Sequence, residues 1–237
     1  MHEELLFLLA VAPGAFLLFY FYLKDRYEHE PVVLVLLCFA AGAASVFLAM
    51  VLELGAEPLF TDMPVTFISI AAYTTLGVGL PEELSKLLAM RLVAYRHRAF
   101  NELMDGIVYT VAAGLGFATL ENIFYVMELG FGTGVIRALL SVPMHAMFGV
   151  VLGYYVGLAR MARNRGEPDG RLLVGGLLLA TLMHGVYDFI LFAFEDGALI
   201  LGLLVAFYAL AVWFAVRCVR RALAASPFRA AAGSGVE

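Results

Sequence analysis

Hydrophobic residues along this chain run in long blocks separated by short polar segments. Blocks near 5–23, 31–54, 65–90, 105–128, 135–159, 172–194 and 197–216 are each long enough to cross a hydrocarbon layer, which takes about 20 helical residues. The pattern predicts an all-α, polytopic transmembrane helix bundle of about seven spans. The first block is not the apolar centre of a cleaved signal, because Glu3 and Glu4 precede it, Lys24 and Arg26 follow it, and no small-residue cleavage pattern ends it.

Composition agrees with lipid as the solvent. Of 237 residues, 63% are apolar and only 15% charged, so the chain cannot solvate itself as a globule. Seven spans use up nearly all of it and leave no room for a soluble catalytic domain. We therefore expect one transmembrane domain over 1–225 and a small, polar, disordered cytoplasmic tail over 226–237.

Charge sets the expected orientation. Lys24–Pro31, Arg96–Asn101, Arg160–Arg171 and the tail from Arg217 carry the basic residues, whereas Glu53–Pro64, Glu128–Gly134 and Glu195–Gly197 carry none. The positive-inside rule then gives N-out, C-in, with Arg137 alone near an outer end. Cys38 and Cys218 fall toward the inner side, where thiols stay reduced, so no disulfide is expected. The basic residues sit in short patches that suit topology signalling, and the net charge is −5, so nucleic acid is not an expected partner. Gly149, Gly153 and Gly157 recur every fourth residue and allow a neighbouring helix to approach closely.

Chemistry resides in ionisable residues within the spans. Gly79-Leu80-Pro81-Glu82-Glu83-Leu84-Ser85-Lys86 places two carboxylates just after a proline, where we expect the helix to break and restart. Lys86 lies four residues after Glu82 and three after Glu83, within reach of either. Glu121 lies deep in the fourth span and shares a face with Tyr125. An ionised glutamate there needs a cation, a metal or a hydrogen-bond network. His145 falls mid-span in the fifth block. His184 and Asp188, four apart in the sixth, point the same way, which suits joint metal ligation or a carboxylate that orients the imidazole. Each of these has a bland reading as an interfacial charge or a helix-tying hydrogen bond. Four spans that bring acid or imidazole to similar depth favour a site, and imidazoles with carboxylates are what zinc accepts.

Glu82-Glu83-x-x-Lys86, Phe117-x-x-x-Glu121-Asn122, His145 and His184-x-x-x-Asp188 together resemble the successive motifs of the PrsW family of intramembrane proteases. The resemblance covers Pro81 to Asp188. The double glutamate and the closing His-x-x-x-Asp are also similar to the wider CAAX-endopeptidase and bacteriocin-processing superfamily, where the second motif usually ends in His in place of Glu121. The resemblance implies hydrolysis of a peptide bond in a membrane protein of a bacterial or archaeal cell membrane, such as the first cut, on the outer side, in a single-pass anti-sigma factor. For that reaction Glu82 is the expected general base, with Glu83 holding the helix start or sharing the proton. Glu121, His145, His184 and Asp188 complete the catalytic set. His145 and His184 are the expected ligands of a divalent metal, zinc by choice, with Asp188 or Glu121 as third ligand and a water in the open position. A metal-free glutamate mechanism, with the histidines as oxyanion donors, stays open, and so does an alternative function as a proton- or metal-coupled transporter. Asn122, Thr119 and Tyr125 are expected to line the water-filled cleft.

Overall fold

Residues 2–229 are described by a computed structural model, and among them the regular elements are all helices. In chain order they are α1 (His2–Lys24), α2 (Val32–Ala56), α3 (Phe67–Ala72), α4 (Leu80–Val93), α5 (Leu103–Leu129), α6 (Phe131–Leu139), α7 (Ser141–Asn164), α8 (Gly170–Ala193) and α9 (Gly197–Ala224). A short 3-10 turn, Glu57–Leu59, extends α2, and a π-helical stretch, Tyr73–Gly79, joins α3 to α4.

Helix α5 is the centre of the bundle. In its most apolar stretch 94% of the residues are buried, against 17% in α9, so α5 is covered by protein and α9 faces outward. Helices α1, α2 and α7 wrap α5. Helix α7 meets α5 backbone to backbone, as α2 does at Gly42 and Gly116. A Cβ built on Gly153 would lie 2.5 Å from Gly106 O, and one on Gly157 would lie 2.6 Å from Leu103 O, so the expected small-residue ridge is the seam where the two backbones meet. Exposed large apolar residues such as Phe16, Val33, Val51, Leu201 and Val205 cover the outside of α1, α2 and α9. A surface of that kind is solvated by acyl chains and not by water.

Among the described residues, six helices are long and apolar enough to cross a membrane. The remaining expected span, 65–90, is the composite α3–π–α4 segment. The helix does not break at Pro81 as expected. The π-helical stretch accommodates the residues before the proline, and Leu80 N–H bonds to Thr75 O, so Glu82 and Glu83 do not sit at a free helix N-terminus. Their charge must be met by side chains instead.

The expected fifth span, 135–159, is also two pieces. Gly130, with φ +82°, turns the chain after α5 in a conformation that a side chain would strain. The short helix α6 then precedes α7 and carries Arg137. Both cysteines are free and buried. Of the expected tail, Ser226 is buried against the bundle, and residues 230–237 lie outside the described residues.

Candidate active site

The six ionisable residues singled out by their depth in the spans converge from α4, α5, α7 and α8. Glu82, Glu121, His145, His184 and Asp188 line one cavity of about 500 Å³, and Glu83 lies directly behind Glu82. Glycine makes part of this possible. A Cβ on Gly185 would fall 2.2 Å from Thr75 Oγ1 and 2.7 Å from Thr75 Cα, so α8 presses against the π-helical turn immediately beside His184. That contact sets the imidazole against the double-glutamate motif across more than a hundred residues of sequence.

Lys86 is the hub. Its Nζ donates to Glu82 Oε2 at 2.9 Å and to Glu83 Oε1 at 2.8 Å, and it lies 3.0 Å from His145 Nδ1. It also stands 4.2 Å from the ring centroid of Phe117. The lysine is 2% exposed, so these partners replace its hydration. An ammonium has only hydrogens to give, so Nδ1 of His145 must accept. The proton of a neutral His145 is then on Nε2, which faces Glu121 Oε2 at 3.2 Å. Glu121 in turn is paired with Arg137 Nη2 at 2.8 Å.

His184 is held by acids on both sides. Nδ1 is 3.0 Å from Glu83 Oε1, and Nε2 is 3.4 Å from Asp188 Oδ2 and 3.8 Å from Glu82 Oε2. Nδ1 is thus hydrogen-bonded to Glu83, while Nε2 faces two further carboxylates at longer range. The two imidazoles meet edge to face, with centroids 5.4 Å apart.

Donor atoms of Glu82, Glu83, His145 and His184 all lie within 4.8 Å of one another, and this is the group able to share a metal. Two of the expected ligands, His145 and His184, belong to this group. Asp188 and Glu121 stand outside this group, each against the Nε2 of one histidine, where a carboxylate orients a ring. The first turn of α4, brought in by the π-helical stretch, places Glu82 and Glu83 beside both histidines.

Sequence reasoning missed Glu53 and Arg137, which also line the cavity. Glu53 was read as the start of an outer connection and Arg137 as a flanking charge. A signal for Arg137 was present, since an arginine on the side otherwise free of basic residues calls for an anion nearby. The expected lining is corrected as well. Tyr125 lines the cavity, but Asn122 is fully buried, donates from Nδ2 to Ala10 O at 2.9 Å and accepts from Arg137 Nε at 3.1 Å, and so clamps α1 and aims Arg137. Thr119 packs against Gly14 of α1.

The chain matches the family described as "PrsW family intramembrane metalloprotease" over residues 30–216. It is 41% identical to "Protease PrsW" of Geobacillus kaustophilus over 90% of this chain and 89% of that one. It is 38% identical to "Protease PrsW" of Bacillus subtilis over 90% and 93%, and 36% identical to that of Oceanobacillus iheyensis over 81% and 85%. No solved structure matches the chain. With the family matched across nearly all of the bundle, this multi-pass membrane protein belongs to the PrsW family of intramembrane metalloproteases.

Proposed function

We propose that the protease hydrolyses its substrate with Glu82 as general base and with Glu83, His145 and His184 as the metal-holding set, zinc being the metal that this donor chemistry suits best. The observation that carries the reading is the division of labour between the paired glutamates. Glu82 lines the cavity, whereas Glu83 is 1% exposed and is bound to both Lys86 and His184. Only the first faces the space where water and a peptide bond would meet.

The donors fit a divalent metal in kind and in spacing, because two imidazoles and a carboxylate are a common catalytic zinc set. Bound there, the metal would supply a more acidic water and polarise the scissile carbonyl. Lys86 reaches two of the same donors, Glu83 and His145, so its ammonium and the metal compete for them. Glu82 takes the proton of the attacking water and returns it to the leaving amine. Asp188 and Glu121 hold the rings of His184 and His145 at fixed angles. Arg137 and the Ser141–Tyr187 pair, whose oxygens are 3.2 Å apart, present donors toward the cavity for charge that develops on the substrate carbonyl.

The substrate is a membrane-protein segment that reaches a cavity walled by helices, and the family resemblance points to a single-pass anti-sigma factor cut on the outer side. Glu82→Gln keeps size and shape but cannot accept a proton at neutral pH, and loss of a general base costs about 10²- to 10⁴-fold in rate. Purified wild type and variant are compared on a membrane-protein substrate, with metal content measured on the same samples. We expect Glu82→Gln to lose cleavage and keep its metal, and Glu83→Gln to lose both. Normal cleavage by Glu82→Gln would sink the assignment of the base. Metal-free protein that cleaves at full rate would leave the glutamate mechanism.

A further inference from the structure

A second set of acids gathers at one end of the bundle, where the α1–α2 connection meets the start of α5. Asp25 is 0% exposed, Glu30 2%, Glu102 1% and Asp105 0%. One oxygen from each of Asp25, Glu102 and Asp105 lies within 4.8 Å of the others. Asp105 precedes Glu121 on α5 by 121 − 105 = 16 residues. At 1.5 Å per residue that is about 24 Å, so this group is separate from the active site.

Some of these groups have partners. Asp105 Oδ2 accepts from Asn101 N at 2.7 Å and Glu102 N at 2.8 Å, which fastens the first turn of α5. The Tyr109 hydroxyl donates to Glu30 Oε2. Both oxygens of Asp25, like those of Glu102 and Oδ1 of Asp105, are buried with no hydrogen-bond partner. Among the described residues, no lysine or arginine makes an ion pair with any of the four acids. Lys24 and Arg26, on either side of Asp25, lie over the rings of Tyr20 and Tyr27 instead. A wholly buried carboxylate aimed at two others, with neither donor nor counter-ion, lacks a cation.

We propose that Asp25, Glu102 and Asp105 bind a hard divalent cation of the magnesium, calcium and manganese class, which staples the α1–α2 connection to the start of α5. The donors are all carboxylate oxygens, which hard ions prefer and zinc does not require. Calcium–oxygen distances of about 2.3–2.6 Å place opposite ligands about 4.6–5.2 Å apart and neighbouring ones closer, so the observed spacing suits one ion. Glu30, anchored by Tyr109, lies beside Asp25 and Asp105. The basic residues of the adjoining connections lie at this same end, which the positive-inside rule places in the cytoplasm, where magnesium is at hand.

The test is Mn²⁺ binding to the purified full-length protein in nanodiscs, read by electron paramagnetic resonance, in a His184→Ala background that disables the other metal-holding set. One bound Mn²⁺ should remain, and Mg²⁺ or Ca²⁺ should displace it. Asp25→Asn should weaken it by at least about 10-fold, as loss of a group that supports a metal does. In thermal unfolding, millimolar Mg²⁺ or Ca²⁺ should raise the midpoint of the parent but not of Asp25→Asn. Should Asp25→Asn fail to accumulate, Glu102→Gln serves as the second variant, with the same outcome expected. No Mn²⁺ bound at millimolar concentration, or equal binding by parent and variants, overturns the proposal and leaves the acids neutralised by protons alone.

Discussion

Arg137 shows how one side chain changes the state of a buried centre. Its Nη2 lies 2.8 Å from Glu121, its Nε donates to Asn122, and the guanidinium covers the ring of Tyr125 at 4.1 Å. Without this cation Glu121 would be a carboxylate in a low-dielectric site with only a neutral imidazole against it. The ion pair therefore holds the Glu121 carboxylate 3.2 Å from His145 Nε2, on the side of the ring away from Nδ1, which faces Lys86. We expect Arg137→Met to lower kcat/KM by about 10- to 100-fold, the usual cost of losing a group that orients a ligand. Arg137→Lys should recover only part of it, since an ammonium cannot match the planar fork that meets Glu121 and Asn122 together. Full activity in Arg137→Met would show that His145 is aligned without Glu121.

At the scale of elements, the site depends on helices that approach backbone to backbone. Gly153 on α7 faces Gly106 O at 2.5 Å and Ile107 Cα at 2.7 Å from the position of a Cβ, all main-chain atoms that cannot rotate away. Gly153→Ala must push α7 off α5 and, with it, His145 away from Glu121. We expect a loss of about 1–3 kcal/mol of stability, typical of overpacking, read as a lower midpoint of thermal unfolding in detergent. An unchanged midpoint would mean the seam is looser than its geometry. The basic end is held by a different device. Asp169, at the start of α8, accepts from the Tyr95 hydroxyl at 2.8 Å and from Arg163 Nη1 at 3.2 Å, tying the connection after α4 to that before α8. The hydrogen bond from Tyr95, followed by Arg163, holds the Asp169 carboxyl below its ordinary value of 3.8. A depressed folded value means that this contribution is present above the unfolded value and fades as pH falls through the folded one. Asp169→Asn should thus be less stable than wild type at pH 7, and the gap should begin to shrink below about pH 4 and close only below the depressed folded value, where Asp169 is neutral in both states. A gap that does not depend on pH would remove the charge from the explanation.

For the whole molecule, the distribution of charge predicts orientation. Lys24, Arg26, Arg96, Arg98, Arg163, Arg165 and the arginines of 217–221 lie in helix ends or connections at one end. The positive-inside rule places that end in the cytoplasm, with the start of α1 outside. Cys38 and Cys218 are 0% and 3% exposed, so the native thiols give little background in a labelling experiment. We expect Glu167→Cys, on the exposed α7–α8 connection, to react with an impermeant thiol reagent only after cells are opened, and Glu57→Cys to react in intact cells. The reverse pattern would invert the protein and move the proposed cation site to the outer face.

The amino-acid sequence by itself determined the class of protein, because the need to bury roughly 20 apolar residues per crossing follows from the bilayer and not from neighbours. It also singled out Glu82, Glu83, Glu121, His145, His184 and Asp188 as candidates, since an acid or imidazole in mid-span is costly unless used. The tertiary structure decided how they are shared out. Residue types and spacing could not tell that a π-helical turn carries the chain past Pro81 without breaking it, because that depends on Gly185 of α8 accepting Thr75 against its backbone. Nor could they place Arg137, which reaches Glu121 only because Gly130 turns the chain and α6 doubles back against α5. Lys86 was legible as a partner of the two glutamates within one helix, but its contact with His145 spans 59 residues and exists only where α4 and α7 meet. Local periodicity fixes which face of a helix a side chain occupies; which charge it answers to is set by helices that meet only in the folded bundle.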